Sequence, residues 1–204
     1  MKSFKFALLA VATAAVMAPA HAQGLTYSVG VFSANNDDTR KDDVRPSVVL
    51  GANYDFGNGF YALADYTTGK FESQVKARGE LALSVGYGNE LANGIYYDVA
   101  ATRTMYQTKD DGNELGLTLG YGPVSVTYTK AFTTSGFTGT HTLDYTLQHN
   151  LTDALSAGVT LTTTKDAADT YEIFGAYDLG NNLSLSASIF KDKPKLVVGI
   201  TKSF

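Results

Sequence analysis

The chain has 204 residues with twenty glycines, thirteen tyrosines and eleven phenylalanines, no tryptophan and no cysteine, and a formal net charge of −4. The absence of cysteine removes a disulfide scaffold, a thiolate metal site and a cysteine nucleophile. A small negative charge gives no electrostatic footprint for nucleic acid, and mean hydropathy near zero fits alternating apolar and polar residues, in an outer-membrane barrel or a soluble all-β protein alike.

Residues 1–22 read as a signal peptide. Lys2 and Lys5 supply a positive start, and the apolar run from Phe6 to Ala18 is broken only by Thr13. Pro19 then precedes Ala20-His21-Ala22, a small-x-small site with cleavage expected after Ala22. The run is too short for a spanning helix. Residues 23–204 are expected to form one exported domain, and any membrane spanning there must use strands.

From Gly24 onward, period-2 segments of roughly ten residues recur, divided by turn residues. Leu25, Tyr27, Val29 and Val31 share the first face; Val48, Leu50, Ala52, Tyr54 and Phe56 share the second. Residues 59–68 form a third segment whose parity is ambiguous. Leu81, Leu83, Val85 and Tyr87 follow, then Ile95, Tyr97, Val99 and Ala101. Next come Leu115, Leu117, Leu119 and Tyr121, then Val124, Val126 and Tyr128, then Leu143, Tyr145 and Leu147. Leu155, Ala157, Val159 and Leu161 mark a ninth; Tyr171, Ile173, Tyr177 and Leu179 a tenth; Leu183, Leu185, Ala187 and Ile189 an eleventh. The last strand carries Leu196, Val198 and Ile200, then Lys202 and the terminal Phe204.

The connections alternate as well. Gly57-Asn58-Gly59, residues 91–94, Gly122-Pro123, residues 151–153 and Asn181-Asn182 are short turns. Residues 34–44, 68–77, 107–113, 133–139 and 165–169 are longer and more charged; 191–195 is short but charged. A transmembrane antiparallel up-and-down β-barrel of about twelve strands predicts this alternation, with both termini on the periplasmic side. Ten strands is the alternative, if two weak segments are loop. With short turns periplasmic, Tyr27, Tyr54, Tyr87, Tyr97, Tyr121, Tyr177 and Phe204 fall at one level, as an interfacial aromatic girdle would. The opposite rim, with Tyr66, Met105, Tyr128, Phe132 and Tyr171, is less regular.

The other parity carries Gly, Ser and Thr, with the acids Asp55, Glu80, Asp98, Glu114, Asp144, Glu172 and Asp178. Charge facing lipid is costly near the midplane, so these acids are expected to point inward. Arg45, Arg78 and Lys195 share that parity near the outer mouth. Two readings follow: an acid-lined pore that favours cations, or a packed lumen whose acids pair with those bases. Arg103, Lys130 and Lys202 have lipid-face parity and lie near strand ends, unless bulges shift the register.

Catalytic constellations are weak. His141 and His149 are the only histidines after the leader, and Ser135 or Thr142 could join His141 only in a surface hydrolase of lipid. No catalytic residue, resident metal or cofactor is expected. Asp37-Asp38, Asp42-Asp43 and Asp110-Asp111 read as solvated loop acids, or as bridges to lipopolysaccharide phosphates through metal ions. Expected partners are outer-membrane lipid and lipopolysaccharide, small solutes or ions, and the barrel-assembly machinery, which would take the terminal strand. A plugged barrel with a structural or adhesive role is the other function class.

The stretch Arg45-Pro46-Ser47-Val48-Val49-Leu50-Gly51 running into Tyr54, with Gly59-Phe60-Tyr61-Ala62, resembles the opening of the TorF family of porins. The ending Leu196-Val197-Val198-Gly199-Ile200-Thr201-Lys202-Ser203-Phe204 is similar to that family's end. The centre shares only short Tyr- and Gly-rich strands, and Ser33 to Arg40 stand where the family has Tyr-Arg-Phe-Arg-Gly. The resemblance implies a small outer-membrane channel and no named substrate.

Overall fold

The computed structural model describes residues 24–35, 45–68, 79–106, 111–133, 136–191 and 196–204. Twelve strands run in chain order: β1 (Gly24–Asn35), β2 (Arg45–Asp55), β3 (Phe60–Thr68), β4 (Glu80–Glu90), β5 (Ile95–Tyr106), β6 (Gly112–Tyr121), β7 (Val124–Thr133), β8 (Gly136–Asn150), β9 (Leu155–Thr164), β10 (Thr170–Gly180), β11 (Leu183–Phe190) and β12 (Leu196–Ser203). Each pairs antiparallel with its sequence neighbour, and β1 pairs with β12, so the sheet closes into a barrel. Ten strands is thereby excluded.

Closure is made by the chain's last residues. Ser28 stands opposite Ser203 and Asn35 opposite Leu196. Beyond the strand, the Phe204 amide donates to the Tyr27 carbonyl at 2.8 Å, and the Tyr27 amide donates back at 3.2 Å. With β1 paired to β12, each of the twelve strands has a neighbouring strand on both sides and no strand is left as an edge.

Turn chemistry fixes the tight connections. Asn181 and Asn182 both adopt left-handed backbone, φ 54° and 57°, the geometry of a type I′ hairpin. Asp55 and Asp178 accept hydrogen bonds from the Gly57 and Gly180 amides at 2.7 and 2.8 Å. The connection expected over residues 133–139 is mostly strand, because β7 runs to Thr133 and β8 restarts at Gly136. A register shift between Lys130 and Phe132 accommodates this extension.

The burial pattern is inverted relative to a soluble domain. Among the described residues, Ala82 and Val197 alone are buried apolar side chains, whereas Val85, Leu119, Ile173, Leu185 and Ile189 are each exposed on the outer face. Buried polar side chains, Ser47, Thr142, Thr160, Glu172 and Ser188 among them, face inward. The ambiguous third strand resolves the same way: Phe60 and Tyr66 point out, Tyr61, Asp65 and Thr67 point in.

Inward aromatics lie across glycines of the neighbouring strand. The Tyr61 ring covers Gly86, Tyr96 covers Gly120, Phe174 covers Gly158 and Phe32 covers Gly199. At each glycine an added Cβ would overlap the ring, so the small residue makes room for an aromatic lying against the wall. We predict that Gly120→Val destabilises the barrel by about 1–3 kcal/mol through overpacking against Tyr96. Gly116→Ala, whose Cβ would meet only the Ala100 carbonyl at 3.9 Å, should stay within about 0.5 kcal/mol of the parent. Urea unfolding of the refolded protein checks both.

Candidate functional site: a polar lumen inside an apolar wall

The outer wall is an apolar belt with aromatics at the turn end. Tyr27, Tyr54, Tyr121, Tyr177 and Phe204 are exposed there. Tyr87 and Tyr97 are half-buried, with ring centroids 6.0 Å apart. Phe60 and Phe56 join the same level: Phe60 packs on Tyr87 at 4.7 Å, and Phe56 meets Tyr54 edge-on at 4.8 Å. A continuous apolar surface on a closed sheet suits hydrocarbon rather than water.

Two of the outward bases, Arg103 and Lys202, have partners for their charged ends, while Lys130 stands at the register shift of β7. Arg103 bonds Asp111 at 2.8 Å, and that hydrogen bond holds the Asp111 carboxyl below the usual carboxylate range. The Lys202 ammonium donates to the Asn181 carbonyl and lies 5.8 Å from the Phe204 ring. Register is regular at both positions, so no bulge turns either side chain inward.

The acids Asp55, Glu80, Asp98, Glu114, Asp144, Glu172 and Asp178 occupy inward positions, and they divide by surroundings. Asp55 and Asp178 serve their turns through the glycine amides described above. Asp98 is buried and takes the Tyr61 hydroxyl on both oxygens, at 3.0 and 2.8 Å. Tyr61 thereby reaches from β3 across β4 to β5. Glu80 stands opposite Tyr106, and Glu114 opposite Thr102. Asp144 accepts from Thr162 at 2.5 Å. Glu172 is 5% exposed, and its Oε1 has no hydrogen-bond partner.

Asp65 belongs with these acids, although the ambiguous parity of its strand hid it; it rests against Gly51. Of the three bases expected at the outer mouth, Arg78 and Lys195 lie outside the described residues. Arg45 holds an inward register position with its side chain likewise undescribed. Among the described side chains, none of the inward ones is basic. Hydroxyl pairs fill the wall between the acids: Ser84 with Thr102 at 2.8 Å, Thr118 with Thr127 at 2.9 Å, Thr146 with Thr160 at 3.0 Å. An apolar patch interrupts them where Phe32 and Phe190 pack on Val197.

The hydrolase constellation is not assembled from His141 and Thr142. His141 faces outward, its ring 5.7 Å from that of Tyr128, while Thr142 is buried inside beside Thr164. Ser135 and the loop acids at 37–38, 42–43 and 110 lie outside the described residues.

No family model matches the chain, and no curated protein matches it. Among solved structures, a KdgM porin in complex with disordered oligogalacturonate shares the fold at 10% identity, covering 88% of this chain and 97% of that one, TM-score 0.62. A Salmonella typhi OmpF complex with daunomycin aligns at 9% identity over 88% and 96%, TM-score 0.47. A mutant Rhodopseudomonas blastica porin aligns at 11% identity over 90% and 100%, TM-score 0.44. The first establishes a porin-like β-barrel; the other two are too distant to add to that.

The belt makes a depth-dependent prediction. Val85, 62% exposed at the middle of β4, becomes a charge in hydrocarbon when replaced by Arg, and should cost about 2–4 kcal/mol. Tyr121→Arg, at the rim, should cost roughly 0–1 kcal/mol. Urea unfolding in phospholipid vesicles reads the difference.

Proposed function

We propose that this chain is a passive channel of a Gram-negative outer membrane that admits small polar solutes or ions and favours cations. The observation that carries the reading is the closed barrel whose described inward ionisable side chains are acids without a base, set in a wall of hydroxyls and glycines. Carboxylates along a narrow polar path raise local cation concentration and exclude anions. Twelve strands fall between filled eight-stranded barrels and open sixteen-stranded porins.

The KdgM porin was solved with oligogalacturonate, which is a polyanion. An acid-lined lumen repels such a chain, so a similar fold here serves a different class of solute. The TorF resemblance at the two ends of the chain supports the same general reading. In it, the leader is cleaved after Ala22, the short turns and both termini are periplasmic, and the terminal strand is the element offered to the assembly machinery. Lipid and lipopolysaccharide cover the belt. Diffusion through such a path needs no cofactor and no catalytic residue.

The second reading is a plugged barrel with a structural role. It is favoured by the Phe32, Phe190 and Val197 cluster, which takes space inside the wall. Planar-bilayer recording of the refolded protein separates the two. The channel predicts discrete conductance steps and, in a KCl gradient, a reversal potential on the cation side. Folded protein without steps sinks it. Neutralising Glu114, Asp144 and Glu172 together should move the reversal potential toward zero; unchanged selectivity would remove these acids from the path.

A further inference from the structure

Three bases stand side by side on the outer wall, at the end of the barrel away from the short turns. Lys130 on β7 is opposite His141 on β8. Lys165 directly follows the last residue of β9, and its amide donates to the His141 carbonyl at 3.0 Å. The three form one row across consecutive strands, roughly 4.8 Å from one to the next. Thr129 and Thr142 pair beside them, and Thr142 is buried inside, so alternation turns Lys130 and His141 outward. The His141 ring lies 5.7 Å from that of Tyr128, which is exposed on the same wall. Lys165 is exposed, and a Cβ built on Gly139 of β8 would meet its Nζ at 4.0 Å. Its ammonium therefore lies beside β8, on the way to Lys130.

The outer wall around the row is uncharged. Leu115 stands opposite Lys130 on the β6 side. Toward the belt lie Tyr128, Leu143 and Thr163, each opposite the next. Toward the loops, the Phe132 and Phe137 rings meet edge-on at 6.1 Å. The turn that begins at Lys165 carries two exposed acids, Asp166 and Asp169, and the Asp169 carbonyl accepts from the Lys191 ammonium at 2.8 Å. Arg103 and Lys202, in contrast, are met by the protein itself, through Asp111 and the Asn181 carbonyl.

Bases held against an apolar wall are tolerated near the interface, where an anion or water can meet the charge. Beside this row the wall offers aliphatic and aromatic side chains, so the complementary charge is that of a lipid headgroup. We propose that Lys130, His141 and Lys165 bind one phosphate group of lipid A in the outer leaflet. The two ammonium groups supply charge and the imidazole N–H a further donor. Leu115, Tyr128 and Leu143 then lie on the belt side of the phosphate, where acyl chains run. The inference rests on the outer-membrane reading with the short turns periplasmic, and names the lipid that this face takes.

The test titrates the refolded mature chain in detergent micelles with diphosphoryl lipid A and follows it by native mass spectrometry. The site predicts a saturable adduct of one lipid A. The double variant Lys130→Gln with Lys165→Gln should weaken its apparent affinity by about tenfold or more, the loss of two charge-assisted contacts. Lys202→Gln, at the turn end, should leave it unchanged. Heat-shifted mobility on gels shows that each variant folds. An adduct that the double variant leaves intact, or that Lys202→Gln weakens equally, overturns the proposal. Dephosphorylated lipid A binding as tightly as the diphosphoryl form overturns it too, because the acyl chains would then carry the contact. So does displacement by an equal concentration of phosphatidylglycerol, which marks the row as a general anionic surface. Conductance without the adduct removes the site and leaves the channel. The adduct in a protein that never conducts leaves the site and removes the channel.

Discussion

Everything in this molecule depends on satisfying backbone hydrogen bonds where no water can do so. A strand in hydrocarbon that leaves a row of N–H and C=O groups unpaired is prohibitively unstable, and a closed sheet is the arrangement of strands that leaves none. Here the closure falls to the pairing of β1 with β12, extended by the reciprocal bonds between Tyr27 and Phe204. The alternation of residues then has no freedom left. Once the ring is shut, one parity meets the surroundings of the barrel and the other meets the lumen.

That constraint explains why the polar residues carry the packing. A small barrel must fill or line its interior with whatever the inward parity supplies. This chain supplies hydroxyls that bond one another across strands, glycines that let aromatic rings lie against the wall, and acids that find partners of unequal quality. Tyr61 gives Asp98 a two-oxygen partner and joins three strands at the turn end. Thr162 gives Asp144 a single short bond. Glu172 is left with an unbonded oxygen. Among the described residues the inward acids are therefore held unevenly, most firmly at the turn end.

Strand number and the outward face were legible in the sequence because the period-2 signal is strong wherever one face must be apolar. It failed at β3, where Leu63 and Tyr61 point inward while Ala62 and Ala64 point outward, so apolar residues stand on both faces and Asp65 was lost. The inward aromatics went unrecognised for a related reason. A Tyr on the polar parity is an ordinary polar residue until its neighbour across the ladder is known to be glycine, and that pairing is a matter of register, which a single strand does not carry. Asp55 and Asp178 have the inward parity, yet their carboxylates answer to turn amides two residues away. The loop at 133–139 misled because Thr and Gly suit turns and strands alike.

The seam between the first and last strands has a kinetic meaning. Every other strand pair joins neighbours in sequence and can zip as soon as both are present, whereas Ser28 cannot find Ser203 until the whole intervening sheet exists. The slowest contact to form is thus also the one that removes both edges. Until it forms, the chain is a curled ribbon with two sticky borders and an apolar back, ready to pair with other copies of itself. After it forms, unfolding must begin by breaking the ring somewhere, and no strand can peel away while both its neighbours hold it. The same few hydrogen bonds would make the protein slow to mature and, once mature, slow to fall apart.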